Sequence, residues 1–125
     1  MHALAAVAAA LTMTAGPGPV HATGLARGYT VGIAITPNRA LGTGAFTLTL
    51  ARNGRPVAGA RVRATVTMLD MNMGSFTLLV PSRAAGTYAT AAPAVGMSGR
   101  WGWSIQVEPP NAPAFRVVLV DRMRG

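Results

Sequence analysis

The stretch ARVRATVTM, residues 60–68, decides the fold. Ala60, Val62, Ala64, Val66 and Met68 fall on one side of an extended chain, and Arg61, Arg63, Thr65 and Thr67 on the other. Side chains alternate across a strand with a period of two, so this stretch has one apolar and one wetted face. A helix would need its apolar residues three and four apart, which is not the spacing here.

The same alternation recurs along the chain. Tyr29, Val31, Ile33 and Ile35 alternate with Thr30, Gly32, Ala34 and Thr36 until Pro37-Asn38, and Phe46, Leu48 and Leu50 alternate with Thr47 and Thr49. Asn53-Gly54 is a hairpin signal, because both residues tolerate positive φ. The strand through residues 60–68 is expected to begin near Val57, with Gly59 as a bulge. Beyond it come Phe76, Leu78 and Val80, closed by Pro81, and then Tyr88 after the turn residue Gly86. Trp101, Trp103, Ile105 and Val107 follow, stopped by Pro109-Pro110, and Phe115, Val117 and Leu119 come last. About seven short strands with regular turn signals predict an all-β, immunoglobulin-like antiparallel β-sandwich. No internal repeat, linker or second domain interrupts the pattern.

Residues 1–22 read as a signal peptide, which leaves 23–125 as the single domain. An alanine-rich apolar run reaches Met13, Gly16-Pro17-Gly18-Pro19 breaks it, and Val20-His21-Ala22 has the small-residue pattern of a cleavage site. A periplasmic or secreted location follows. Cleavage after Ala22 would remove His2 and His21, the only histidines of a chain that has no cysteine. Disulfides and the ordinary ligands for zinc and oxidised copper would then be absent. A cut after Ala15 would instead leave His21 near the amino terminus.

The net charge is +8, with every cation an arginine and only Asp70, Glu108 and Asp121 in opposition. Arginine beside so much alanine, glycine and proline is also the composition a GC-rich genome would encode, so the charge counts for less as a functional signal. The charge still attracts anionic surfaces. Anionic membrane headgroups suit it better than nucleic acid, since Arg61 and Arg63 occupy a solvated strand face and the tryptophans follow the core alternation. An enzyme is not expected. The cleaved chain holds no histidine or comparable base to activate a nucleophile. Its three carboxylates are too scattered for an acid–base pair. Gly42-Thr43-Gly44 lacks the lysine and helix of a phosphate loop.

The chemistry-bearing stretch is MLDMNMG, residues 68–74. Met68 continues the inward row of Val62, Ala64 and Val66, so packing suits it better than coordination. Met71 and Met73 lie among polar and turn-forming neighbours, where large apolar side chains are not needed for a core. Met97 sits in a second turn-rich stretch, Val95-Gly96-Met97-Ser98-Gly99, just ahead of Trp101. Loops gather at the two ends of a sandwich, so Met71, Met73 and Met97 can meet. Thioethers are soft, neutral ligands that favour reduced copper. Three of them can hold Cu(I), with Met68 a lesser candidate, Trp101 offering a cation–π face and Asp70 a weak further contact. The competing expectation is that these methionines cap one end of the core.

Several stretches resemble YtkA-like proteins, a group placed with FixH-like proteins. They are Gly28-Tyr29, Asn53 to Ala60, Met68 to Met73, Gly86-Thr87-Tyr88 and Met97-Ser98-Gly99-Arg100-Trp101, and they cover about residues 28–108. The resemblance implies a secreted or membrane-tethered immunoglobulin-like domain that handles copper or helps to assemble respiratory oxidases. It places the family's methionines at Met71, Met73 and Met97 and its tryptophan at Trp101. Leu69-Asp70 stands where such stretches commonly carry proline, and where FixH proteins carry an amino-terminal membrane helix this sequence shows a short signal-like run. The expected function is periplasmic Cu(I) handling for chaperoning, tolerance or oxidase supply, with the copper ion and an envelope or oxidase-assembly protein as partners. The alternative is a metal-free adaptor module of the cell envelope that binds a partner protein.

Overall fold

A computed structural model describes residues 8–125; residues 1–7, with His2 and the front of the expected signal peptide, lie outside the described residues. Eleven strands make two facing sheets, with no helix among the described residues. They are β1 (Ala9–Ala15), β2 (Val20–Ala26), β3 (Tyr29–Thr36), β4 (Gly44–Arg52), β5 (Arg55–Pro56) and β6 (Arg61–Met68). The rest are β7 (Ser75–Leu79), β8 (Ser82–Ala84), β9 (Thr87–Ala92), β10 (Gly99–Glu108) and β11 (Phe115–Met123). One sheet has the order β1-β11-β10-β6-β7; the other runs β2-β3-β4-β9-β8, with β5 on β4. All pairings are antiparallel except β1 with β11.

The alternating rows close on one another as their parity requires. Val31, Ile33, Phe46, Leu48 and Leu50 from one sheet and Val62, Ala64, Val66, Trp103, Ile105 and Val107 from the other are buried. Two aromatic pairs bridge the sheets. Phe46 stacks on Trp103 with centroids 5.0 Å apart, and Tyr29 on Phe115 at 5.4 Å. Such pairs contribute beyond the area they bury.

The seven expected strands are β3, β4, β6, β7, β9, β10 and β11, and β1, β2, β5 and β8 are additional. Asn53 (φ 52°) and Gly54 (φ 75°) form the expected tight turn between β4 and β5. The strand of residues 60–68 begins at Arg61 rather than Val57, because the chain changes sheets there. Val57 N–H still donates to Leu50 O of β4, in the opposite sheet (2.9 Å), and Gly59 turns with φ 78°. Tyr88 pins this crossover, its hydroxyl donating to Val57 O (2.7 Å) and accepting from Ala60 N–H (3.1 Å).

The boundary expected at Ala22 falls inside β2. Leu11, Met13 and Ala15 pack partly against the core while Thr12 and Thr14 point outward, and Val20 is buried. Ala9 to Ala15 pair in parallel with Arg116 to Asp121, and Val20 to Ala26 pair with Ile35 to Tyr29. A cut after Ala22 would remove β1 and divide β2.

Candidate functional site

β6 and β10 pair with Trp101 opposite Met68, so the loop after β6 and the loop before β10 emerge at the same pole. Backbone and side chains then tie them together. Leu69 N–H donates to Arg100 O at 2.9 Å. Asp70 holds Arg100 twice over: Oδ2 accepts the Arg100 backbone N–H (3.0 Å), while Oδ1 accepts Nε (2.8 Å) and pairs with a terminal guanidinium nitrogen (2.7 Å). These bonds, the backbone N–H first, hold the Asp70 carboxyl below its ordinary range. Across the seam, Trp101 Nε1–H donates to Met97 O at 2.9 Å and fixes the second loop.

Gly99 permits the close approach. Its φ of 138° is left-handed, and a Cβ there would stand 2.6 Å from Met68 Cε and 3.2 Å from Asp70 Oδ2. Only glycine adopts this conformation without strain and leaves that space.

The five residues singled out in the sequence separate into two groups. Met71, Met73 and Met97 are exposed by 54, 51 and 37 %, at the pole where the two loops meet. Met68 and Trp101 are buried in the core, Met68 beneath Gly99 and Trp101 with its indole N–H spent on Met97. The β6–β7 loop and the strand ends that flank it, Thr67 to Ser75, surround an open hollow of about 480 Å³, which Met97 does not line. Asp70 is committed to Arg100. Among the described residues no group of three or more His, Cys, Asp or Glu could hold a metal. A cation at this rim would meet neutral sulfur with Arg100 close by and Arg122 paired opposite Arg100, so it would be held loosely.

The same pole contains a buried polar pair that the strand pattern did not single out as functional. Asn38 and Asp121 are 3 and 0 % exposed, and Asn38 Nδ2–H donates to Asp121 Oδ1 (2.7 Å) and Gly18 O (2.9 Å). Asp121 Oδ2 and Asn38 Oδ1 have no hydrogen-bond partner. Burial pushes the Asp121 carboxyl up, opposed by the bond from Asn38. Parity held the signal, since Asp121 continues the inward row of Phe115, Val117 and Leu119.

Strand order, paired sheets and loop-borne methionines at one end define an immunoglobulin-like β-sandwich whose distinctive side chains lie on its loops. A family model described as YtkA-like matches residues 25–108, and the chain belongs to the YtkA-like family. A solved structure, a DUF4426 family protein from Pseudomonas aeruginosa PAO1, is similar in fold with a TM-score of 0.59 at 16 % identity. The similarity covers 82 % of this chain and 96 % of that one. No curated protein matches.

Proposed function

We propose that this YtkA-like protein handles copper in the cell envelope, holding Cu(I) transiently through Met71, Met73 and Met97. The supporting observation is the Asp70–Arg100 clamp, which fixes two methionine-bearing loops at one pole with their side chains exposed. Exposed thioethers on turns contribute little to a core, whereas a soft monovalent ion is a ligand they favour. The basic surroundings weaken retention, as a protein that passes its ion onward requires. The reading includes no catalytic step: the protein carries the ion without changing its oxidation state, and an envelope location suits a chain with no cysteine.

The test is Ag(I) or Cu(I) under reducing, anaerobic conditions on the full chain. A ligand that binds only the native state raises its melting temperature, by the equivalent of about 2.7 kcal/mol at a hundredfold excess over Kd. The methyl resonances of Met71, Met73 and Met97 are expected to shift together, while that of Met68 stays. Replacing all three with leucine should abolish the thermal shift and leave the metal-free melting temperature in place. A shift that survives the triple change, or that is confined to Met68 and Met123, would show the assignment to be wrong.

A further inference from the structure

A second surface stands apart from the copper reading. Inward-facing side chains are sealed on the inner strands of the five-stranded sheet, yet on β7 the inward residue Phe76 is 37 % exposed and Leu78 half-buried. β7 ends its sheet and packs closely only against β6, and the opposite sheet ends in the three-residue β8. The sandwich is open along this edge.

The backbone there is unpaired as well. Val80 N–H donates to Val62 O (3.0 Å), so Leu78 and Phe76, in step with it, direct their backbone groups toward β6. Ser75, Thr77 and Leu79 therefore direct theirs outward. Exposed edges are ordinarily blunted by charge, proline or a bulge. Ser75-Phe76-Thr77-Leu78-Leu79 has no charge or proline, and its register with β6 is unbroken.

We propose that this edge receives an extended acidic segment of a partner protein as a sixth strand. Strand addition supplies main-chain bonds from the edge and specificity from alternate side chains. In the added strand, one set of side chains would enter the gap beside Phe76 and Leu78 and must be apolar. The other set would face outward above Thr77 and Leu79, on the side of the exposed Arg61 and of Arg63, which donates to Gln106 Oε1 of β10 (3.0 Å), and is acidic. A hollow of about 350 Å³ at the end of β7 is lined in part by Arg61, Arg63 and Leu79, with Glu108 opposite Arg61, so two cations there face one carboxylate. The net charge of +8 sets two copies of the chain against each other and selects an acidic occupant instead.

The probe is a short peptide alternating valine and glutamate, with a valine–lysine peptide of equal length as control. It is added to the full chain labelled with ¹⁵N. The acidic peptide should slow exchange of the Ser75, Thr77 and Leu79 amides by about tenfold or more and lose this effect in high salt. Thr77→Pro should abolish the protection, since it removes an outward N–H and no backbone bond to β6, only the hydroxyl contact between Thr77 and Thr65 (3.3 Å). Phe76→Glu, which sets a like charge in the slot, should weaken it about tenfold. Several results would overturn the assignment: no protection, protection elsewhere, equal binding of the lysine peptide, or protection that appears on concentrating the chain alone.

Discussion

Replacing Asp121 with asparagine should stabilise this protein at neutral pH and do nothing in acid. Asp121 is fully buried, with one oxygen bonded to Asn38 and the other unpartnered, and the amide oxygen of Asn38 is unpartnered too. An ionised carboxylate cannot serve a second oxygen. An asparagine amide can, accepting through its oxygen from Asn38 and donating through its nitrogen to Asn38 Oδ1. Relieving one buried unsatisfied group is worth about 1–3 kcal/mol. In acid Asp121 itself becomes protonated, and its O–H can make the same second bond. The sign follows from burial raising the folded-state pKa above the ordinary 3.8. The native state then binds the proton more tightly, so the contribution is full below that ordinary value and is lost as pH rises through the folded one. Asp70 has the opposite tendency, its carboxyl being held down by Arg100, but it is common to both proteins and cancels in their difference. Urea unfolding followed by tryptophan fluorescence is a suitable assay, since Trp101 pairs directly opposite Asp121. The Asp121→Asn advantage should be about 1–3 kcal/mol at pH 8 and close to zero below pH ~3.5. A variant less stable than the parent at pH 8, or a difference that does not change with pH, would refute the reasoning.

Two further outcomes are expected. Tyr88→Phe should cost about 1–3 kcal/mol in the same unfolding assay, because it strips Val57 O and Ala60 N–H of their shared hydroxyl. Equal stability would show that water replaces the hydroxyl at the crossover. A chain beginning at residue 23 should lose at least about 3 kcal/mol against the full chain, because it forfeits buried Val20 and the whole of β1 beside β11. Unchanged stability in that truncation would mean that the first two strands are dispensable to the sandwich.

Strand identity was legible where a long period of two ran between turn residues inside the expected domain, as from Val62 to Met68 and from Trp101 to Val107. The amino-terminal strands escaped because one composition serves two purposes. Leu11, Met13 and Ala15 alternate with Thr12 and Thr14, yet the alanine-rich run and the Gly-Pro repeat after it also have the form of a leader. β5 and β8 are two and three residues long and exist only through pairing with β4 and β9, which no local pattern reveals. Phe76 shows the limit of parity: it places a side chain on a face but does not say whether anything covers that face. For the methionines, parity placed Met68 inside, where it is buried, while turn-forming neighbours placed Met71, Met73 and Met97 on loops, where they are exposed. The Asp70–Arg100 clamp and the Asn38–Asp121 pair join residues far apart in the chain, and only the register of the strands brings them together.

The parallel ladder in which Ala9 meets Arg116 has a bearing on how the molecule comes to exist. During synthesis, β1 waits for a neighbour made more than a hundred residues later. Until β11 appears, one sheet has no closing seam, and contacts this distant in sequence form slowly. The nascent chain would therefore lack the seam beside β1 until nearly all of the domain has been made.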